Sequence, residues 1–419
     1  MNKEAKQSNE PNNNVKSHDR FFKKSMSYLE TARKLFKFLG KLSIKPLVPR
    51  NQNDLHRAAT MLELLYDLVI VIAVSNASHS LYHALLENHY QNGIVLFLMT
   101  FFTLWWIWIN FTWFATIYDN DDTLYRLLIF IQIIGAVIFA ASIDKLFKQM
   151  DFSYAFLGFL LIRISLVILW IRVILSYPIA QKQAIRKIIG IIICQFGWFL
   201  TIKSEGDHFM LYFIIMSILE LLTPIIIRYS LDNRSSPKWH NHHIVERYAI
   251  FTIIVLGECL VAATNLIKKL IDGGFHIGMF FTCINVFIII FTLWWLYFGE
   301  KKHLALKTRS GIFQWGYGHI LIFISLAALG PSLLLLTDNN DIAIVLVSSN
   351  IMLFLMGIWL VHDLHGKLNI HKILLLPIIC LVILFFMIMF NNITYVSFLL
   401  IFLLVYRVLP VSQQLGNMR

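Results

Sequence analysis

"HHIVERYAIFTIIVLGECLVAATNLI", residues 242–267, decides the fold. Past Glu246 and Arg247 it becomes an apolar run long enough for a bilayer core, which needs about 20 residues in helix, yet Glu258 lies about three turns deeper. A carboxylate at that depth needs a partner, a proton or water. The run therefore reads as a membrane helix with a polar purpose.

The rest of the chain agrees with that setting. Of 419 residues, 58% are hydrophobic and only 14% charged, with a mean hydropathy of +0.68, whereas charged residues make up about 25% of a soluble chain. The expected class is an all-α polytopic membrane protein. The formal charge of +12 does not imply a nucleic-acid partner, because Lys and Arg gather in residues 1–60 and in alternate loops between apolar runs, as the positive-inside rule distributes them.

About twelve runs qualify as spans, from 61–85 and 93–117 through 208–229 and 244–267 to 370–390 and 393–409. Ahead of them, residues 1–20 are too polar to fold and read as a disordered cytoplasmic tail. Residues 21–48 space Phe22, Met26, Leu29, Phe36 and Leu39 at helical intervals among lysines and arginines, the pattern of a basic interfacial helix against anionic lipid headgroups. The polar N-terminus has no signal-peptide core, so the first span is expected to direct insertion.

Loop charge sets an expected orientation. Lys182, Arg186 and Lys187, then Arg228, Arg234 and Lys238, then Lys301, Lys302, Lys307 and Arg309 follow the fourth, sixth and eighth spans. Residues 86–92, 337–341 and 391–392 carry neither Lys nor Arg. Both termini are expected in the cytoplasm.

The chain also repeats itself. "FTLWWIWIN" at 102–110 returns as "FTLWWLYFG" at 291–299, and "LIFI" at 128–131 returns at 321–324. The expected organisation is two parallel six-helix repeats, 55–235 and 240–410, related by an axis along the membrane normal with a pathway between them.

The first span of each repeat carries the polar residues expected to line that pathway: Glu63, Asp67, Asn76 and His79 in one, Glu246, Arg247 and Glu258 in the other. Setting Glu63 against Glu246 places Ser75 opposite Glu258. His319, beside Gly316 and Gly318, is the candidate proton relay. Arg126, Arg163 and Arg172 are candidate charge partners, Gly257 a candidate close-approach point for a helix or ligand, and the paired tryptophans Trp105, Trp106, Trp294 and Trp295 read as packing or anchors. His79 and His83 have no defined third ligand, and Cys194, Cys259, Cys283 and Cys380 lie singly in apolar runs, so no metal site is expected. No motif in a credible context points to a catalytic residue or a cofactor.

Four blocks, "LELLYDLVIVIAVSNAS" from Leu62, "HHIVERYAIFTIIVLGECLVA" from His242, "TLWWLYF" at 292–298 and "GHILIFISLAALG" at 318–330, together resemble the bacterial low-temperature-requirement protein A family across residues 55–410. In that family the first block usually reads Glu-Leu-Phe-Phe-Asp, where this chain has Leu65 and Tyr66. The resemblance implies a multi-pass protein of the bacterial cell membrane, tied by name to growth in the cold, and implies no substrate or reaction. Three functions remain open. One is a secondary transporter for a small solute or ion, proton-coupled through Asp67, Glu258 and His319. The others are a dimeric cation channel lined by the first helix of each repeat, and a membrane-embedded enzyme or lipid-linked regulator.

Overall fold

The computed structural model describes residues 45–51, 57–204, 208–231, 239–299, 309–338, 342–364 and 370–416. The expected tail and residues 21–44 of the expected interfacial helix lie outside them. Residues 45–48 are not helical, which corrects the end of that helix. Pro46 removes a donor and restricts the residue before it, so a helix does not continue there.

Twelve helices and no strand occur among the described residues. The first six are α1 (Met61–Leu86), α2 (Tyr90–Tyr118), α3 (Thr123–Gln149), α4 (Ser153–Ser176), α5 (Gln181–Lys203) and α6 (His208–Tyr229). The second six are α7 (Asn241–Asp272), α8 (Ile277–Phe298), α9 (Arg309–Leu335), α10 (Ala343–Ile358, ending in a π-helical turn Trp359–Asp363), α11 (Ile370–Phe390) and α12 (Ile393–Gly416). Ten segments, from α1 through α10 with its terminal turn, are long and apolar enough to cross a membrane. Within α11 and α12 the shorter apolar stretches are Leu374–Phe386 and Ile393–Arg407. The protein is a multi-pass membrane protein.

Local chemistry sets the ends. Thr60 and Glu63 form a reciprocal capping box at the start of α1, in which the Thr60 side chain accepts from Glu63 N and the Glu63 carboxylate accepts from Thr60 N at 2.8 Å. That arrangement satisfies two donors a helix start leaves open. The far end of α2 is closed by arginines. Arg57 donates to Ala115 O at 2.8 Å and to Thr116 O, and Arg50 Nε donates to Asp119 O at 2.5 Å. Helix C-terminal carbonyls lack intrahelical partners, and guanidinium groups suit both their geometry and their charge.

Helix packing relies on small residues, as expected where lipid supplies no hydrophobic drive between helices. At the α3–α4 crossing a Cβ built on Gly135 would meet Gly158 O at 2.6 Å and Ile162 at 2.8 Å. The outer face of α3 turns Leu127, Phe130, Ile134 and Val137 away from the bundle. The most enclosed span is α9, which packs on α1, α2, α7 and α10. Gly316 and Gly318 on it make close approaches, to Trp113 and Tyr248 and to the terminal turn of α10 respectively.

Gly158→Val should drive α3 from α4, because rigid backbone rather than a flexible side chain opposes the added carbons. Overpacking of this kind costs about 1–3 kcal/mol. Membrane abundance and melting temperature should fall, whereas Gly257→Ala, with no atom within 4 Å of its built Cβ, should leave both unchanged.

Candidate functional site

Two polar constellations stand inside the bundle. The first joins α1 to α7. Glu63 Oε2 lies 3.2 Å from His243 Nε2, and Asp67 Oδ1 lies 2.6 Å from Arg247, with all four side chains at most 1% exposed. Each pair is separated by 180 residues. Residues four apart share a helix face, so the order 63 to 243 and 67 to 247 requires α1 and α7 to lie side by side and run parallel. Helix α2 completes the arrangement: Trp108 Nε1 donates to Asp67 at 2.8 Å, Thr112 Oγ1 is 3.4 Å from Arg247, and Thr116 Oγ1 is 3.1 Å from His243.

Beside this cluster, in the loop after α2, Asp119 is 2% exposed and 3.7 Å from Arg50. Burial pushes it up to about 6 from an ordinary 3.8, and the Glu63 carboxylate adds to the shift while Arg50 and Arg57 oppose it.

Other residues expected on the pathway are dispersed. Glu258 is half-buried and hydrogen-bonded to Ser75 of α1, the residue the repeat alignment sets opposite it. The helix that approaches it comes through Gly330, whose built Cβ would meet Glu258 O at 3.0 Å; around Gly257 there is open space, which corrects the expectation for that glycine. His319 is buried between Tyr297 Oη at 3.1 Å and Trp315 O at 2.7 Å. Asp67, Glu258 and His319 thus keep separate partners. Asn76 and His79 lie on an exposed face of α1, where Asn76 donates to Ala140 O at 3.2 Å and His79 is 3.2 Å from His83. Glu246 is half-buried, with Oε2 buried and unpartnered.

None of the three candidate arginines reaches Asp67 or Glu258. Arg126 pairs with Asp121 at 2.6 Å, Arg172 with Asp122 at 2.5 Å, and Arg163 with Glu220.

That last pair founds the second constellation, which sequence reasoning missed. Glu220, 2% exposed in α6, accepts from Trp106 Nε1 of α2 at 2.8 Å and from Trp198 Nε1 of α5 at 3.1 Å, besides Arg163 of α4. Four helices converge on one carboxylate. Arg163 also stacks on Phe159, with its guanidinium carbon 4.5 Å from the ring centroid. Pro224, four residues beyond Glu220, has no N–H for the Glu220 carbonyl, so α6 loses a backbone hydrogen bond at the carboxylate itself. Tyr317 of α9 donates to the adjacent Leu221 O at 3.1 Å.

Clefts open on both sides of this network. Toward the end bearing the α2–α3 and α4–α5 connections, a cleft of about 810 Å³ is lined by Asn110, Trp113, Trp170, Gln183, Lys187 and Tyr317, among others, with Arg163 and Glu220 at its floor. Toward the opposite end, a cleft of about 490 Å³ is lined by Thr100, Thr103, Phe159, Trp198, Thr201 and Phe213. On α2, α4, α5 and α6 alike the residue order runs from one cleft through the network to the other.

The tryptophans that recur in the sequence occupy unlike settings. Trp105 and Trp106 are buried, at 1% and 3% exposure, while Trp294 and Trp295 are 45% and 48% exposed on α8.

Comparison with known proteins adds a family. Residues 58–409 match the family model described as bacterial low temperature requirement A protein, LtrA. RA0937 of Rhizobium meliloti (strain 1021), described only as an uncharacterized protein, is 24% identical over 263 residues, which is 61% of this chain and 62% of that protein.

Two tests follow from the α1–α7 cluster. Asp67→Leu or Arg247→Leu alone strands a buried charge and should cost about 3–5 kcal/mol, whereas the double variant removes both and should recover most of the loss; detergent melting curves measure it, and equal damage in single and double variants would refute the pairing. For Asp119 the folded value lies above the unfolded one, so the native state holds its proton more tightly and stability falls as pH rises from about 4 to about 6. Asp119→Asn should flatten that slope and stabilise the protein at pH 7 by about 2–3 kcal/mol. An unaltered pH profile would count against the assignment.

Proposed function

We propose, from the premise that the chain belongs to the bacterial low temperature requirement A protein family, that it is a secondary transporter whose solute path runs through α2, α4, α5 and α6. The observation that carries this reading is the position of the Glu220 network, a buried ion pair with two indole donors lying between two clefts that open toward opposite ends of the same four helices. A carrier needs a site reached from each side in turn and a barrier that gives way. Pro224 places a broken backbone hydrogen bond within that barrier, and termini or breaks in an element are where such motions are absorbed.

The proposal moves the path out of the α1–α7 contact and leaves that contact as the static joint. Glu63, Asp67, His243 and Arg247 are sealed from solvent, and Asp67 is matched in charge by Arg247, which suits a joint better than a conduit. For the same reason the dimeric channel lined by α1 and α7 is the weaker reading.

The proposal keeps twelve spans as two parallel six-helix repeats. Supporting it, the packed pairs α1–α2, α1–α3, α3–α4, α4–α5 and α5–α6 recur as α7–α8, α7–α9, α9–α10, α10–α11 and α11–α12. The second repeat acts as scaffold, with both termini cytoplasmic and the larger aromatic cleft facing the cytoplasm.

Membrane-impermeant maleimide tests the arrangement in sealed cells and inverted vesicles. Thr201→Cys should label from outside and Gln183→Cys from the cytoplasm. In Glu220→Gln, which weakens the barrier, each position should become reachable from both sides once labelling is normalised to the amount of protein in the membrane. Labelling of both positions from one side in the parent protein, or steady single-channel currents from it in planar bilayers, would defeat the carrier reading.

A further inference from the structure

We propose that the aromatic cleft binds a small organic anion with a flat apolar body and one N–H or O–H donor. The inference takes the cleft as the solute site of the transporter and names the class of solute.

Charge is the first ground. Glu220 is compensated by Arg163, and its oxygens already accept from three donors, so it has little left for a cationic ligand. Lys187, one turn along α5 from Gln183, lines the same cleft, half-buried, within electrostatic reach of Glu220 and Arg163 but with no hydrogen bond or ion pair to any described residue. A Lys ammonium offers three donors and accepts none. An entering cation would meet that charge without an available carboxylate, whereas an entering carboxylate would meet donors.

The second ground is independent of charge. Gln183 is 7% exposed, and its Oε1 is buried in the cleft lining without a hydrogen-bond partner. A buried polar atom left unmatched is costly, and a ligand N–H or O–H beside the anion would satisfy it. Shape is the third. Trp113, Trp170, Trp239 and Tyr317 line the cleft, and Trp113 and Tyr317 stack at 5.5 Å with an interplanar angle of 6°. Such faces prefer a flat partner.

A probe with all three features is 4-hydroxybenzoate. Calorimetric titration of the full-length protein in detergent should show it binding at least ~10-fold more tightly than acetate, which lacks the ring, or 4-hydroxybenzylamine, which inverts the charge, each factor of ten being about 1.4 kcal/mol. Benzoate, without the donor, should be intermediate. Lys187→Gln should weaken 4-hydroxybenzoate by a similar factor while Lys187→Arg retains most of it, and an unchanged melting temperature in both separates lost binding from lost folding. Tighter binding of the amine, indifference to Lys187→Gln, or displacement of the probe by inorganic phosphate or phosphatidylglycerol would overturn the proposal. Because no gradient enters this measurement, Lys187-dependent binding without flux would remove the transporter reading and leave the site, and flux without such binding would do the reverse.

Discussion

The Asp67–Arg247 ion pair, backed by Glu63–His243 one turn away, is the constraint on which the remaining geometry depends. Two acids on one helix and a histidine and an arginine on another, each pair four residues apart, fit only when the helices run parallel in a single register. Sliding by one turn would leave a buried charge at each end. A buried pair of this kind contributes little net stability, because desolvation offsets most of the attraction, and its better-attested use is to exclude wrong arrangements.

Helix α2 transmits that register to the clefts. Trp108, Thr112 and Thr116 bond to the joint, whereas Trp106, Asn110 and Trp113 line the first cleft. Residues 106 and 108 lie about 200° apart around a helix with 3.6 residues per turn. One face of α2 is therefore fixed to the joint, and the opposite face is presented to Glu220, Lys187 and Gln183. Rigidity on one side and a proline-interrupted helix on the other give the two sides of the first cleft different freedom to move.

Much of this was legible in the sequence. Hydropathy located the helices to within a few residues, because a bilayer imposes both length and composition. The cost of a buried carboxylate picked out Glu63, Asp67 and Glu258. The same rule applied to "FMLYFIIMSILELLTPIII", residues 209–227, points to Glu220 as well, a carboxylate that the repeat pattern, which marks the first span of each half, does not single out. Partners were harder to read. Arg247 stands beside Glu246 in the sequence, while its acceptor is 180 residues away. Pairing at that distance depends on how helices assemble, which no local pattern records. Repeat equivalence does not extend to the tryptophans' surroundings, since Trp106 bonds a carboxylate and Trp295 stands half in the open.

The separation of 180 residues between each acid and its partner also sets a clock. At about 5–20 residues per second of synthesis, Asp67 reaches the membrane some 9–36 s before Arg247 leaves the ribosome. For that interval α1 holds two carboxylates that no later span can yet neutralise. Until α7 arrives, Glu63 has its Thr60 cap and Asp67 has Trp108 of α2 as partners. The first six helices are accordingly an unfinished product until the seventh is made, and the chain's most vulnerable moment falls midway through its own translation.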